Sequence, residues 1–260
     1  MLTFNTERFV LPDWHLQEQR GGNDMNAKKS FSTAVLAALL LSGCGSSSAA
    51  AAAPSASAAP EPTPTATPEE TAVVSQADNY KSVWEGSTCS NYWNNVVFTM
   101  PDGWYQLTED QIAQVTGAGT DAISNDLSID KDQIVSQQSA TCNDFYISNA
   151  AGTATFYSEI IDREALGLPN LTPEQYLQQT KAVLESMTTI SAGCDEIVDN
   201  TMGQNEGKSM NVTIKDANGS TAAIESMFVN ERDGMLVSYI ATAMDQDGVS
   251  QLQGILEQIG

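Results

Sequence analysis

The stretch "MNVTIKDANGSTAAIESMFVNERDGMLVSYIATA", residues 210–243, decides the fold. It contains three segments of alternating apolar and polar residues, separated by Asn218-Gly219 and Asp233-Gly234. Asn-Gly and Asp-Gly between alternating segments are strong hairpin signals, because these residues tolerate the positive φ angles of tight turns. The stretch therefore predicts a three-strand antiparallel meander.

One amphipathic helix is expected before this meander in the sequence, and a second is expected after it. Thr172 and Gln175 have the spacing of a capping box, and Pro173 fits the first helical position. Asp247 is expected to cap the last helix. The apolar stripes that follow the two caps have helical spacing and comprise Tyr176, Leu177, Thr180, Val183, Leu184 and Met187, then Val249, Leu252, Ile255, Leu256 and Ile259.

Further strands are predicted before the first of these helices. Residues 143–161, "NDFYISNAAGTATFYSEII", have the pattern of a hairpin, and "NVVFTMP" at residues 95–101 reads as a strand. A capping box at Thr108 predicts a short helix that ends at Gly117, and residues 118–140 are expected to be partly loop. The whole pattern predicts an α+β fold, in which two main helices cover one face of an antiparallel sheet.

The N-terminal region has the order of an export signal. Lys28 and Lys29 precede an apolar run of 11 residues, 31–41, which is shorter than the roughly 20 residues of a spanning helix. Leu41-Ser42-Gly43-Cys44 then resembles a bacterial lipobox. The resemblance implies that residues 25–43 are a lipoprotein signal peptide and that Cys44 is acylated, with palmitate among its lipids.

Three further boundaries follow from the same region. Met25 is expected to be the start, so that residues 1–24 are not translated; a genuine N-terminal extension is the alternative. Residues 44–79 are rich in Ser, Ala, Pro and Thr and are expected to form a disordered tether. Residues 80–260 are expected to form one extracytoplasmic domain.

Charge and composition exclude several classes of function. The chain has 33 acidic and 11 basic residues, a net charge of −22, which repels nucleic acid. Its one histidine, His15, precedes Cys44, so the mature chain cannot build a Ser-His-Asp or Cys-His site. No catalytic residue, cofactor or metal site is predicted, because the acidic clusters at Asp126 and Asp245 lack a full calcium-loop ligand set.

Cysteines and aromatic residues supply the remaining candidates. Cys89 and Cys142 are a possible disulfide, and the alternative is that both, with Cys194, are reduced core residues. Trp84, Tyr92 and Trp93 are candidate binding aromatics, with packing in the core as the alternative.

Residues 84–115, "WEGSTCSNYWNNVVFTMPDGWYQLTEDQIAQV", carry a family resemblance. They resemble the opening of uncharacterised lipoproteins of Gram-positive gut bacteria, and the order of elements is similar to PsbP and Mog1 domains. Cys89 stands where a tyrosine is common in that family. The resemblance implies a PsbP/Mog1-like α+β fold and no catalytic residue. The matching positions are Gly86, Asn91, Phe98, Pro101, Gly103 and Trp104.

These observations together predict a lipid-anchored, non-enzymatic accessory or binding module at the outer face of the cell membrane. Its expected partners are the membrane, through Cys44, and an envelope protein, peptide or glycan. The alternatives are a carboxylate-dependent hydrolase of the cell envelope and a carrier of a small ligand or lipid. A buried carboxylate pair in a cleft would favour the hydrolase, a deep apolar pocket the carrier, and an exposed aromatic face the interaction module.

Overall fold

The computed structural model describes residues 75–216 and 218–259. A 3-10 helix, Ala77–Tyr80, precedes four α-helices: α1 (Glu109–Leu127), α2 (Lys131–Gln138), α3 (Pro173–Ser186) and α4 (Gln246–Leu256). The strands are β1 (Val83–Glu85), β2 (Thr88–Asn91), β3 (Val96–Thr99), β4 (Trp104–Gln106), β5 (Thr141–Asn149), β6 (Ala154–Asp162), β7 (Ser191–Cys194), β8 (Val198–Met202), β9 (Asn205–Lys215), β10 (Thr221–Arg232) and β11 (Met235–Ala243).

The strands form two antiparallel sheets. The main sheet has the order β4-β5-β6-β11-β10-β9-β7, and β8 also pairs with β9. The small sheet has the order β1-β2-β3. The predicted α+β class and the antiparallel character of the sheet are confirmed.

The turns of the meander follow the expected chemistry. Asp233 and Gly234 both have positive φ angles, 48° and 84°, and connect Arg232 directly to Met235 across the hairpin. Gly219, with φ of 81°, lies in the turn between β9 and β10, where Asp216 accepts backbone hydrogen bonds from Asn218 and Ser220. Local sequence alone fixes both reversals, because few residues other than glycine adopt these angles without strain.

The two main helices lie on opposite faces of the main sheet, which corrects the expectation that they share one face. α4 packs with the small sheet against one face, on a cluster that includes Phe156, Phe228 and Tyr239. α3 packs against the other face, on a cluster that includes Met227 and Ile240. All nine residues of β6 and of β11 are consequently buried, since a strand covered on both faces has no solvent side.

The helix starts follow their capping signals with one correction. Thr108 and Thr172 form capping boxes with Gln111 and Gln175, as predicted. α4 begins two residues earlier than expected, because Asp245 is its N-cap and accepts from the Gly248 backbone N–H at 2.7 Å, while Asp247 lies in the first turn.

The expected end of α1 at Gly117 is wrong, because the helix continues to Leu127. A glycine inside a helix costs about 1 kcal/mol, which is small enough for tertiary packing to offset. Ile123 supplies that packing, since it is fully buried in a cluster with Ile134 and Met187. The weakly patterned residues 118–140 therefore contain the rest of α1 and all of α2.

The packed chain begins a few residues before the expected domain start at 80. Ala77 is only 1% exposed, and the Gln76 backbone N–H donates to Asp162 Oδ2 at 2.8 Å. The predicted signal peptide, Cys44 and most of the tether lie outside the described residues. None of the helices in the described part combines the length and apolar content that crossing a bilayer requires.

Candidate functional site

A groove of about 570 Å³ lies between α3 and the loop that leads into it. One wall is the loop, residues 167–171, which contributes Leu168, Pro169 and Leu171. The other wall is one side of α3, with Gln175, Gln178, Gln179 and Ala182. The volume is within the range of ligand sites in proteins, roughly 300–1,000 Å³.

The sequence of α3 explains why amide side chains line this groove. Tyr176, Leu177, Thr180 and Leu184 are buried against the sheet. The residues between them point away from the sheet, because helical positions three and four apart share a face. The groove therefore receives the polar side of an amphipathic helix, while its loop wall is mostly apolar.

The hydrogen bonds of the three glutamines define what the groove offers. Gln175 Oε1 accepts from the Thr172 backbone N–H at 3.0 Å, which leaves the amide NH₂ group for other contacts. Gln178 Nε2 donates to Glu174 Oε1 at 3.2 Å, which leaves its carbonyl oxygen. Gln179 Oε1 has no hydrogen-bond partner among the described residues, but it is buried and so is not presented to the groove. The exposed part of the wall thus presents one donor and one acceptor, and the lining contains no charged side chain.

Arg163 holds the loop wall in place. Its guanidinium group donates to the Leu171 carbonyl at 3.0 Å, the Gly234 carbonyl at 2.8 Å and Glu231 Oε1 at 2.7 Å. Because these acceptors belong to the loop, the β10–β11 turn and β10, one buried side chain ties the groove wall to the central hairpin. Arginine suits this role, since its planar group can donate in several directions at once.

Two glutamates are buried between the sheet and α3. Glu159 on β6 and Glu225 on β10 are 1% and 0% exposed, and Glu225 Oε2 accepts from Thr242 Oγ1 at 3.1 Å. Burial raises the pKa of each to about 8, and for Glu159 the charge of Glu225 is part of this rise. Both are therefore mainly protonated at neutral pH.

The two glutamates do not form an open acid–base site. Neither residue lines the groove, and both are closed off from solvent. Glu159 Oε2 and Glu225 Oε1 have no hydrogen-bond partner within the described residues. General acid–base catalysis needs a carboxyl within hydrogen-bond reach of the substrate, which this burial prevents.

A second buried polar network joins the small sheet to the main sheet. Asp144 accepts from Ser82 Oγ at 2.8 Å, from the Ser82 backbone N–H, and from Asn91 Nδ2 at 3.1 Å. Asn94 Nδ2 donates to Tyr239 Oη at 2.7 Å and to Asn230 Oδ1 at 3.2 Å. Burial raises the pKa of Asp144 despite these donors. The network has its partners within the fold, so its role is to position the small sheet.

The three candidate binding aromatics lie in the small sheet and its turn, in different surroundings. Trp84 is half-buried and meets Phe98 edge to face, with ring centroids 5.8 Å apart. Trp93 lies 4.4 Å from the Tyr80 ring and donates from Nε1 to Asp233 Oδ2 at 2.8 Å. Tyr92 is 79% exposed. The two tryptophans thus have intramolecular contacts, and a role for any of the three in binding stays a prediction.

Cys89, Cys142 and Cys194 are free thiols in the structure. Burial raises the pKa of Cys89 and of Cys142 to about 12. A disulfide between Cys89 and Cys142 stays a prediction, as does the lipidation of Cys44.

The acidic clusters considered for calcium have structural contacts. Asp126 accepts from the Thr188 backbone N–H at 2.7 Å, and Asp130 caps α2 by accepting from the Asp132 backbone N–H at 2.9 Å. Within residues 75–216 and 218–259, no group of three or more His, Cys, Asp or Glu residues is placed to hold a metal ion.

Sequence reasoning missed the groove and the buried glutamates. A signal for the glutamates exists, since each interrupts an apolar strand segment, "FYSEII" and "AIESMF". The signal for the groove is weaker. It consists of three glutamines on the polar side of a capped helix, preceded by "LGLPNL".

Comparison with known proteins gives structural similarity only. No protein-family model matches the chain, and no curated protein sequence matches it. Among solved structures, the cyanobacterial PsbP protein CyanoP from Synechocystis sp. PCC 6803 is 10% identical, with a TM-score of 0.42 over 68% of this chain and 91% of that one. LpqN, involved in cell envelope biogenesis of Mycobacterium tuberculosis, is 13% identical, with a TM-score of 0.36 over 62% of this chain and 78% of that one.

Proposed function

We propose that this chain is a non-enzymatic binding module, held at the outer face of the cytoplasmic membrane by lipid on Cys44. In this proposal the groove beside α3 receives another component of the cell envelope. In this proposal the domain recognises the partner, and the lipid on Cys44 keeps the protein at the membrane.

The observation that carries the proposal is the groove itself, which combines an apolar loop wall with amide side chains on the polar side of α3. Gln175 and Gln178 are exposed there, and each has one amide group left for a partner, the NH₂ group of Gln175 and the carbonyl oxygen of Gln178. A ligand in the groove can therefore combine apolar contact with hydrogen bonds.

The anchor rests on the sequence order around Cys44. A basic pair, a short apolar run and a small-residue segment ending in cysteine precede the Ser/Ala/Pro/Thr-rich residues. Two or more acyl chains give stable membrane attachment where one chain gives only reversible binding. A carboxylate hydrolase is the alternative, since the pKa of Glu159 and Glu225 near 8 suits proton transfer, but their burial counts against it.

The anchor is tested with the full chain in its native host. Labelled palmitate should enter the protein and should be absent from Cys44→Ser, which should leave the membrane fraction. Equal labelling of both proteins would show that Cys44 is not the lipidated residue.

The groove is tested by photo-crosslinking in the same cells. A benzoylphenylalanine residue in place of Ala182 should give a defined adduct, identified by mass and then reproduced with the purified components. The matched control places the same residue at Gln114, which is exposed on α1 and does not line the groove. Equal adducts at both positions would show that the groove is not the binding surface.

A further inference from the structure

We propose that α3 opens and closes on the main sheet under the control of two protons, one on Glu159 and one on Glu225. α3 is closed while both side chains are uncharged, and it moves away from the sheet when they ionise. The proposal goes beyond the proposed function, since it needs no ligand in the groove. It rests on the place of the two glutamates in the sheet and on the side chains that surround them.

Both glutamates lie on the face of the main sheet that α3 covers. Tyr157 on β6 and Met227 on β10 are each two residues from one of the glutamates, and both belong to the cluster beneath α3. Residues two apart on a strand point to the same face of its sheet. Glu159 and Glu225 are therefore buried in the interface between the sheet and this helix.

β11 lies between β6 and β10 and offers each glutamate a hydroxyl group. Ser238 pairs with Glu159, and Thr242 pairs with Glu225 and donates to its Oε2 atom at 3.1 Å. A hydroxyl group can hydrogen-bond a carboxyl group in either protonation state, but it has no charge. The central strand therefore cannot neutralise a carboxylate in this interface.

The titratable groups that face the two glutamates are three buried tyrosines and one half-buried thiol. Burial is the main cause of the raised pKa of each, and the negative charge of the glutamates adds to it. None of the four becomes positively charged when it binds a proton. They are Tyr146 on β5, Tyr157 on β6, Tyr176 on α3 and Cys194 on β7.

The charged residues of the covering helices have partners or solvent at the surface. On α3, Lys181 donates to the Cys194 carbonyl at 3.0 Å, and Glu174 Oε2 lies 3.5 Å from Lys208 Nζ. α1 packs on the same face through apolar residues, and the acidic residues of its first turn are exposed. Among the described residues, no basic side chain is among the groups that shift the pKa of either buried glutamate.

α3 is the element whose displacement disturbs the fold least. Its capping box, formed by Thr172 and Gln175, is internal, so the helix keeps these hydrogen bonds when it leaves the sheet. β6 and β11 are paired along their whole length and stay covered on the other face by α4 and the small sheet. A buried carboxylate without a cation is unfavourable, and the displacement of α3 admits water to it. The opening is therefore local, and the sheet stays folded.

The opening of α3 also changes the groove, because this helix is one of the groove walls. Protonation of the two glutamates thereby regulates the site of the proposed function. The test below measures the helix itself and does not depend on that function.

The test is hydrogen–deuterium exchange of the full chain in detergent at pH 6 and 7, corrected for the intrinsic pH dependence of amide exchange. The pKa of each glutamate is about 8 in the closed form and about 4.5 once hydrated, so the closed form binds more protons between these values. The equilibrium constant for opening α3 should therefore rise about tenfold from pH 6 to pH 7 for each glutamate that becomes hydrated. Peptides from β11 should stay protected at both pH values.

Glutamine variants identify the groups that respond to pH. Glu159→Gln and Glu225→Gln should each lower the ratio of the two opening constants about tenfold, and the double variant should open equally at both pH values. The matched control is Glu174→Gln, the same change at an exposed position of α3. It should keep the wild-type response.

Three results would overturn the proposal. These are an opening constant of wild-type α3 that is equal at pH 6 and 7, loss of protection in α3 and β11 together, and a wild-type response in the double variant. The first two are measured on the wild-type protein, so they decide the matter even if a glutamine variant does not fold.

Discussion

At the scale of single residues, Glu159 and Glu225 make the stability of the fold depend on pH between about 4.5 and about 8. Their pKa values are about 8 in the folded protein, against an ordinary value of 4.5 for an unfolded chain. Between these two values the folded state binds more protons than the unfolded state. The free energy of unfolding therefore falls as pH rises from about 4.5 to about 8, by about 1.4 kcal/mol per pH unit for each group.

Glu225→Gln should reduce this pH dependence. The amide has nearly the same shape and does not ionise, so the slope of unfolding free energy against pH should decrease by about 1.4 kcal/mol per unit. Urea unfolding at pH 5, 6, 7 and 8 measures it. Glu85→Gln, on exposed β1, is the surface control. Parallel plots of unfolding free energy against pH for Glu225→Gln and wild type would contradict the raised pKa of Glu225.

The three described cysteines should differ in reactivity. Burial raises the pKa of Cys194, which is half-buried, to about 11, and that of Cys89 and Cys142 to about 12. Since the thiolate is the reactive form, iodoacetamide at pH 8 should label Cys194 first and the other two only after unfolding. Peptide mass mapping reads the order. A Cys89–Cys142 disulfide would appear in the same experiment as a pair labelled only after reduction.

At the scale of elements, Gly207 is required for the pairing of β9 with β10. A Cβ atom there would lie 2.3 Å from the Val229 carbonyl oxygen and 2.8 Å from the Phe228 ring, which is too close for either to be accommodated. Gly207→Ala should therefore cost about 2–3 kcal/mol of stability, within the usual range for overpacking.

Gly193→Ala is the matched control for this prediction. Gly193 lies in β7, which also pairs with β9, and its added Cβ would be 3.9 Å from the nearest atom, the Thr213 carbonyl oxygen. The free energy of unfolding of Gly193→Ala should stay within about 0.5 kcal/mol of the wild-type value. Equal losses for the two alanine variants in urea unfolding would show that close approach at residue 207 is not the cause.

Elements defined by local signals were predictable, and those defined by packing were not. The turn at Asp233-Gly234 and the start of α3 at Thr172 depend on a few adjacent residues, so the sequence identifies them. The end of α1 depends on Ile123 meeting Ile134 in the next helix and Met187, which is distant along the chain, and this contact offsets the stop signal at Gly117.

The predicted alternation described only one face of each strand. The meander shows Val237 and Tyr239 on one face, but Leu236 and Ile240 on the other face are buried as well. A strand of continuous apolar character is compatible with burial on both faces, and the sequence did not reveal that the helices would divide between them. The groove was unpredictable for the same reason, because it forms only where residues 167–171 come to lie beside α3.

At the scale of the whole molecule, the net charge of −22 opposes the compact state through self-repulsion. Salt screens exposed charges over about 10 Å at 0.1 M, so it should stabilise the fold. Raising NaCl from 10 to 300 mM should raise the melting temperature by about 3–6 °C, as read in a thermal scan. An equal osmolality of an uncharged solute is the control, and a fall in melting temperature with salt would contradict the repulsion argument.

The contact between Gln76 and Asp162 joins the first described residues to the main sheet. Asp162 ends β6, a strand with partners on both sides, and its other carboxylate oxygen accepts from the Glu164 and Ala165 backbone N–H groups at 3.1 Å. If the chain is anchored on its N-terminal side, as proposed above, a pull on it would load β6 in the middle of the sheet through this contact and would not begin by peeling an edge strand.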